Sequence, residues 1–436
     1  MGSCMFSPTT TFTSSFSNVL ATNSCNDAHL AVFTSEEYPL DLLDTSEWIY
    51  EDNFHLPSQQ QPCHEDMGMR EEASLPSLLF PGLDIKLDRE LSLFHLLKAY
   101  GEAMGKGFIC LAQVILTRLQ EKASHVGTTM ERLARYLLVQ QPDPQYDYLK
   151  QECIKNYAIA FQAFYEITPY GRFAHFVANA AIHASVPRDI EVVHIVDFNI
   201  EDGLQWPPLL SALGPERTVC ITCIDMEDDY RFKRTKERLA CFAQTMGLKL
   251  RVDQLRLEEL LDKRRVTSIG ASGREWLVFN CMVELPHMGM ANVKGKREAI
   301  QFIEVAQKLV ASSRISGILT YGNGSSGHLP FSDGHLLHSH ALFESMEWHF
   351  PSNFSLARTT MECLFAGTCV SSGFGLLDEL LIGSNLKGCR VSKQTLMEAK
   401  EIASGCNYGV KVRGECGNEV VLEWRGSPLV RVCAWR

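Results

Sequence analysis

The stretch Val193-His194-Ile195-Val196-Asp197 decides the fold of this chain. It belongs to an apolar, β-branched run from Glu191 to Phe198, and such a run predicts a buried parallel strand. Segment 203–213 then places apolar residues at helical spacing, with two prolines where only a first helical turn tolerates them. The sequence therefore predicts a strand that ends at Asp197, a loop and a helix.

The same unit recurs downstream. Further strands are predicted over 218–226, 248–255, 276–282 and 315–321, and further helices over 230–246, 257–263 and 294–311. Strands that alternate with helices are typical of an α/β, Rossmann-like, doubly wound and mostly parallel sheet. Three short runs near the C-terminus, 410–412, 420–425 and 429–434, predict antiparallel strands that follow this sheet.

Several of these segments resemble the GRAS family of plant transcriptional regulators. The hallmark strand and helix of that family are similar to Val193–Asp197 and the tail Gly203-Leu-Gln-Trp206. Segments 93–136 and 164–182 are similar to its first leucine-rich region and to the segment that precedes the hallmark. Trp424 and Trp435 stand where the C-terminal tryptophans of the family fall. The resemblance covers residues 90–436 in the expected order.

The chain also departs from the family pattern. Only Ala357–Cys363 represents a block that has an Arg-Val-Glu-Arg core in the family, and the connection from Ser371 to Gly388 is short. The hormone-response motifs of the DELLA subgroup do not occur before residue 90. The resemblance is therefore nearest to the SCARECROW-like, nodulation-signalling branch.

Charge divides the chain into two parts. Residues 1–85 carry thirteen acidic residues and one base, a net charge of −12, whereas the whole chain carries −11, so the remainder is close to neutral. We predict a disordered acidic tail over 1–88 and a GRAS domain over 89–436. Within that domain we expect a helical cap with the leucine-rich region over 89–185, and an α/β core with tryptophan-containing hairpins over 186–436.

The acidic tail interleaves acids with Leu, Trp, Tyr and Phe, above all over residues 36–56. This composition is typical of disordered activation segments whose aromatic residues dock into a coactivator groove. A solvating tail without a partner has the same composition. The acidity argues against nonspecific DNA binding through the tail, because phosphate contacts require Lys and Arg.

The α/β part also resembles S-adenosylmethionine-dependent methyltransferases. Polar residues at the carboxyl ends of the predicted strands form a candidate pocket beside Asp197: Asn199, Gly203, Gln205, Asp225 and Asn280. The loop after Asp197 has one glycine and the bulky Phe198 and Ile200, although a cofactor loop needs several glycines for close approach to a ligand. We therefore expect a small-molecule or peptide pocket without methyl transfer, or only turn and cap residues.

Neither a metal site nor a catalytic constellation is expected. The fifteen cysteines are scattered, and the single Cys-x-x-Cys, Cys220 to Cys223, lies within a strand where residues three apart face opposite ways. His335 and His338 share a helix face but have no third ligand at a recognisable spacing. His194, in the middle of a strand, is interpreted as a core histidine with its hydrogen bonds satisfied.

Two segments are candidate interaction surfaces. The first is a leucine-rich stripe whose apolar residues recur at helical spacing, and the resemblance implies homo- or heterodimerisation through it: Leu93, Leu97, Leu111, Val114, Ile115 and Leu119. Core packing is the alternative. The second is a basic cluster that can serve nuclear import, touch phosphate or form a solvated helix face: Arg231, Lys233, Arg234, Lys236 and Arg238.

The resemblance implies a nuclear, non-enzymatic regulator of transcription in developmental or symbiotic signalling. Its implied partners are other GRAS proteins, DNA-binding transcription factors and coactivators, with indirect contact to DNA and no cofactor. No sequence window reaches the roughly 20 apolar residues of a membrane span. The alternative function is a methyltransferase-type enzyme or a small-molecule sensor.

Overall fold

The computed structural model describes residues 81–138, 144–224, 229–261, 275–282, 285, 293–311, 317–324, 330–367, 386–405 and 407–436. The predicted acidic tail lies outside them, except for its last residues, which belong to the first helix. Among the described residues no helix is long and apolar enough to cross a membrane.

Six helices of the described part of the chain precede the sheet. They are α1 (Pro81–Gly105), α2 (Ile109–Lys122), α3 (Thr129–Leu137), α4 (Pro144–Lys155), α5 (Tyr157–Ile167) and α6 (Tyr170–Ser185). A capping box starts α3, because the Thr128 hydroxyl accepts from the backbone N–H of Glu131 while the Glu131 carboxylate accepts from that of Thr128.

The predicted α/β alternation is confirmed. It runs through β1 (Val192–Phe198), α7 (Trp206–Leu213), β2 (Thr218–Ile224), α8 (Asp229–Thr245), β3 (Lys249–Leu255), α9 (Leu257–Leu261), β4 (Glu275–Met282), α10 (Val293–Val310) and β5 (Gly317–Asn323). These five strands are parallel, and Asp197 of β1 lies opposite Asn280 of β4.

Within the described residues, the C-terminal part adds three α-helices and three antiparallel strands. These elements are α11 (Asp333–His349), α12 (Ser355–Met361) with a π-helical continuation over Glu362–Ala366, α13 (Lys393–Ile402), β6 (Tyr408–Arg413), β7 (Glu419–Trp424) and β8 (Ser427–Trp435). The resulting eight-stranded sheet has the order β3-β2-β1-β4-β5-β8-β7-β6. The expected mostly parallel sheet with antiparallel closing strands is therefore confirmed.

Both faces of the parallel sheet are covered by helices. Alternate residues of β1 point to opposite faces, so Ile195 packs in a cluster with α6, α7 and α8, whereas Val196 packs with α9 and α10. A third cluster joins α1–α6 to α11, α12 and the last hairpin. The helical cap is thus packed against the C-terminal elements, and the crevice of the sheet lies between these layers.

Candidate functional site

The carboxyl ends of β1 and β4 form the crevice in which α/β proteins of this topology bind ligands. The chain crosses from one side of β1 to the other between β3 and β4, which makes this the topological switch point of the sheet. Four predicted residues, Asp197, Asn199, Gly203 and Gln205, line the small cavity in this crevice, and Asn280 is hydrogen-bonded to Asp197 and Gln205 beside it. Asp197, Gln205 and Asn280 are buried.

Asp197 is held by two side-chain donors. Trp206 Nε1 donates to Asp197 Oδ2 over 2.9 Å, and Asn280 Nδ2 donates to Asp197 Oδ1 over 2.7 Å. Burial raises the pKa of Asp197 to about 7, although both hydrogen bonds lower it. Since the two donors come from the hallmark helix and from β4, the carboxylate fastens the hallmark segment to the sheet.

Amide groups continue this network. Gln205 and Asn280 exchange reciprocal amide hydrogen bonds of 3.1 Å. Asn179 of α6 donates to the Gln205 carbonyl oxygen over 2.6 Å, and Thr320 of β5 donates to Asn280 Oδ1 over 2.8 Å. Buried polar groups need such partners. The crevice is therefore filled by side chains that bind one another, a closure that sequence spacing could not predict because its members are far apart in the chain.

Among the residues that the structure describes, little space remains beside this network. The cavity lined by His175, Asp197, Gln205 and Met282 has a volume of about 10 Å³, enough for about one water molecule, whereas small-molecule sites measure about 300–1,000 Å³. Gly203 has a positive φ of 69°, and a Cβ there would lie 3.0 Å from Thr235 Cγ2. The glycine thus serves close packing of the loop against α8.

The predictions for Asn199 and Asp225 have different outcomes. Asn199 has a positive φ of 67°, and its amide donates to Glu201 Oε1 over 2.9 Å, which is a local turn contact. Asp225 lies outside the described residues. In the described part of the crevice, the turn-and-cap interpretation therefore accounts for Asn199.

His194 belongs to a chain of three polar side chains on the other face of the sheet. Its Nδ1 lies 2.9 Å from Glu275 Oε1, and its Nε2 lies 2.8 Å from Thr222 Oγ1. Its hydrogen bonds are thus satisfied as expected, but it is half-buried rather than in the core. A carboxylate, an imidazole and a hydroxyl in this order resemble a hydrolytic triad, yet all three stand on paired strands whose backbone N–H groups serve the sheet and not an oxyanion.

The leucine-rich stripe has an inner and an outer side. Leu93, Leu97 and Leu119 are buried in the core, and Ile115 is half-buried. Leu111 and Val114 are 51% and 62% exposed, and Phe108 and Ile109 beside them are exposed as well. Core packing therefore explains half of the predicted interface, and the outer side of α2 remains as an apolar surface.

A buried ionic cluster in the cap had no counterpart in the sequence prediction. Arg132 of α3 donates to Glu362 Oε1 over 2.9 Å and to Glu347 Oε2 over 3.1 Å, and Arg358 approaches Glu362 within 3.8 Å. Burial raises the pKa of Glu362 to about 7, against the effect of Arg132. Glu362 and Arg358 belong to Ala357–Cys363, the segment that departs from the family pattern. Because these residues are more than 200 positions from Arg132, their pairing leaves no local signal.

The two C-terminal tryptophans hold the closing strands in place. Trp424 is buried and donates to Glu344 of α11 over 2.9 Å, and Trp435 pairs with Leu319 of β5. Tyr408 packs edge-on against Trp424 and donates to the Tyr170 hydroxyl over 3.2 Å. The tryptophans thereby link the last hairpin to α6 and α11.

The basic cluster lies on α8. Lys233 and Lys236 are exposed and Arg234 is half-buried. Arg238 instead donates to the Asp202 carboxylate over 2.8 Å and to its carbonyl oxygen over 3.0 Å. Arg231 begins the cluster within α8. The cluster thus includes one arginine that stabilises the hallmark loop, and two lysines, Lys233 and Lys236, that are exposed to solvent.

Metal ligation finds no support in the described residues, which contain no group of three or more potential ligands. His338 Nδ1 lies 2.7 Å from the Pro428 carbonyl oxygen, and His335 Nδ1 accepts from the backbone N–H of Phe331. Both histidines therefore make structural contacts.

The sheet order and its helical layers define a Rossmann-like α/β protein, and comparison with known proteins identifies its family. The model of the GRAS domain family matches residues 93–372. Protein NODULATION SIGNALING PATHWAY 2 of Lotus japonicus is 30% identical over 388 residues, which cover 79% of this chain and 76% of that protein. Scarecrow-like protein 26 of Arabidopsis thaliana is 27% identical over 426 residues, and the alignment covers 85% of this chain and 84% of that protein.

The chain belongs to the GRAS domain family of plant transcriptional regulators, near its nodulation-signalling and SCARECROW-like members. The crystal structure of SCL7 from Oryza sativa shares the fold, with a TM-score of 0.57 and 20% identity over 79% of this chain and 99% of that one. The sequence resemblance is thereby confirmed.

Proposed function

We propose that this chain regulates transcription by assembling with other proteins, and that the outer side of α2 is a docking surface. The observation that carries the proposal is the exposure of Ile109, Leu111 and Val114 on α2 and of Phe108 directly before it. Exposed apolar patches mark interaction sites, whereas a buried apolar stripe is explained by core packing. Another GRAS protein is the proposed partner, since the family resemblance implies dimerisation through this region.

A double substitution tests the surface. Leu111→Glu with Val114→Glu places two charges on the outer side of α2, and we expect association between copies or with a related GRAS protein to weaken about tenfold or more. Co-precipitation and light scattering measure it. Leu337→Glu is the matched control, because Leu337 is an exposed leucine on α11. Equal association of the double variant and the wild type would contradict the proposal.

The acidic tail supplies the proposed coactivator contact, and the protein acts in the nucleus. The support is its charge of −12 among interleaved aromatic residues. Fusions of the full chain and of residues 81–436 to a heterologous DNA-binding domain test this in plant cells, the cut being placed where α1 begins. Activation that disappears on truncation supports recruitment through the tail, whereas equal reporter output refutes it.

We also propose that the crevice has no catalytic function. The closed amide network and the cavity of about 10 Å³ support this over the methyltransferase and sensor alternatives. Calorimetric titration with S-adenosylmethionine is expected to give no heat of binding. Micromolar binding would overturn the proposal.

A further inference from the structure

One end of the sheet is an antiparallel strand with a free edge. Among the strands that the structure describes, β6 is paired on one side only, with β7. Arg425 donates its backbone N–H to the Asn407 carbonyl oxygen over 2.8 Å, and hydrogen-bonded pairs alternate along an antiparallel ladder. The backbone N–H and C=O groups of Val410 and Val412 therefore point away from β7, where a further strand can pair with them.

The two charged side chains of β6 are both cations. Lys411 Nζ lies 2.6 Å and Arg413 Nη2 lies 2.7 Å from the Glu423 carboxylate of β7. Glu423 is buried, whereas the side chains of Lys411 and Arg413 are 59% and 46% exposed. The outermost strand therefore presents positive charge to a strand that pairs with it.

The opposite face of β6 is apolar. Tyr408 and Val410 pack in the cluster that joins the cap to the last hairpin, together with Leu396 of α13. Val412 is 41% exposed. Directly opposed residues of paired strands share a face and interact there. A strand that fits this edge thus carries acidic residues on one face and large apolar residues on the other.

The other end of the sheet lacks this combination. β3 is paired with β2 in parallel and contains Asp253 besides Lys249 and Arg251. Arg251 forms an ion pair with Asp253 of the same strand. The positive charge of β3 is therefore partly neutralised within the strand itself, so β6 is the edge that favours an acidic partner.

The N-terminal tail of this chain contains the complementary pattern. Residues 46–51, which lie outside the described residues, have the sequence Ser-Glu-Trp-Ile-Tyr-Glu. In an extended strand Glu47 and Glu51 share one face, and Trp48 and Tyr50 share the other. The surrounding residues 1–85 carry a net charge of −12, which adds attraction to a cationic edge.

The tail is also long enough to reach β6. The 29 residues over 52–80 separate this segment from the start of α1. When extended they span about 95 Å, whereas a domain of this size measures about 50 Å across. Chain length therefore sets no limit on which edge of the same molecule the segment meets.

We propose that residues 46–51 add to the free edge of β6 as an antiparallel strand of the same chain. In the register that places Glu47 opposite Arg413, Trp48 lies opposite the exposed Val412. Backbone hydrogen bonds to the edge supply the affinity, and the alternating side chains supply the specificity, as in other cases of strand addition.

The test is hydrogen exchange of the purified full chain, followed by mass spectrometry. A synthetic peptide of residues 43–54 gives the exchange rate of the undocked segment. We expect exchange over 46–51 to be about tenfold slower or more in the full chain, because pairing protects backbone amides. Equal rates overturn the proposal. Protection that rises with protein concentration also overturns it, since the strand then comes from a second copy.

A proline on the free edge tests the place of docking. Val412→Pro removes an N–H that points away from β7, and edge strands tolerate proline at such positions. Val412→Thr is the matched control, because it keeps the N–H and a β-branched side chain. We expect protection over 46–51 to be lost in Val412→Pro and kept in Val412→Thr, with circular dichroism establishing that both are folded. Protection kept in folded Val412→Pro overturns the assignment to β6.

A variant of the tail leaves the folded domain unchanged. Glu47→Lys with Glu51→Lys reverses both charges that face the cations of β6, so protection over 46–51 is expected to disappear. Asp41→Lys with Asp44→Lys is the control, because it makes the same change of charge outside the proposed strand. Equal loss of protection in the two variants would show a general attraction of the tail and contradict the strand.

The docked strand has a regulatory consequence. Trp48 and Tyr50 then lie against β6, where a coactivator cannot reach them. This consequence rests on the coactivator contact proposed for the tail, whereas the docking itself does not. In the reporter fusion, Val412→Pro is expected to give higher output than Val412→Thr. Equal output together with lost protection refutes the inhibitory role alone, so failure of the tail proposal and failure of the docking are distinguishable.

Discussion

The crevice beside Asp197 and the outer side of α2 distribute polar and apolar groups in opposite ways. In the crevice, a carboxylate and three amide side chains are buried and bound to one another. On α2, apolar side chains stand in solvent. A buried polar group and an exposed apolar patch are both informative departures from the usual distribution. The polar groups of the crevice are accounted for by internal contacts, whereas the exposed apolar side chains of α2 support the docking surface proposed above.

The largest effect is expected in the crevice. Asn280→Leu removes the donor to Asp197 and the acceptor for Thr320 and Gln205, so buried polar groups lose partners at once. We expect the free energy of unfolding to fall by about 4 kcal/mol. Urea denaturation measures it. The control is Asn353→Leu, an exposed residue of the short 3₁₀ helix Ser352–Phe354, for which about 0.5 kcal/mol or less is expected. A stable Asn280→Leu protein would show that the network does not support the fold and would reopen the crevice as a ligand site.

The loss of stability on truncating a leucine should differ between the two sides of the leucine-rich stripe by nearly as much. Leu119→Ala leaves a cavity in the core and should cost about 3 kcal/mol, whereas Leu111→Ala on the outer side should cost about 0.5 kcal/mol or less. Thermal and urea unfolding of the isolated protein measure both changes. Equal costs would mean that the outer side is packed in solution, which would remove the contrast with the crevice.

Local sequence patterns predicted the sheet well because each strand carries its own apolar period. The predicted strand over 248–255 and helix over 294–311 match β3 and α10 within about two residues. The hallmark segment was placed correctly for the same reason, since its strand, loop and capping prolines are contiguous.

Contacts between distant segments could not be predicted in this way. The apolar residues of the stripe that contains Leu93 and Leu111 all recur at the same helical spacing, so the spacing does not distinguish buried from exposed residues. Packing against α3 and α11 decides which of them are buried. Likewise, Arg132 and Glu362 are ordinary helix residues until the cap folds. The three side-chain partners of Asn280 come from β1, from the residue before α7 and from β5. The candidate site was therefore predicted as a set of neighbours, but its closed state was not.

A smaller effect should appear in the pH dependence of stability. Burial raises the pKa of Asp197 from 3.8 to about 7. Between these values the folded protein binds the proton that the unfolded chain has lost, so this group makes stability fall as the pH rises through the window. Asp197→Asn removes the titration, so its stability relative to wild type should rise as the pH increases from about 4 to about 8.

The comparison with Asp197→Asn is needed because Glu362 contributes a slope of the same sign. Its pKa is also raised to about 7. Urea unfolding of both proteins across the pH range isolates the Asp197 contribution as a difference. Parallel pH profiles would show that Asp197 stays ionised in the crevice and that the two donors outweigh its burial.

The smallest effect is expected in the basic cluster on α8. Like the crevice and the outer side of α2, this cluster contrasts a side chain with internal hydrogen bonds and a side chain exposed to solvent. Arg238 is bound to Asp202 of the hallmark loop, whereas Lys236 is exposed. Arg238→Gln should lower the free energy of unfolding by about 1 kcal/mol, because hydrogen bonds to a charged side chain are lost. Lys236→Gln should change it by about 0.5 kcal/mol or less, and urea unfolding measures both. If Lys236→Gln left stability unchanged but slowed nuclear entry of a fluorescent fusion, the exposed cations would be assigned to import; unchanged entry would leave them as a solvated helix face.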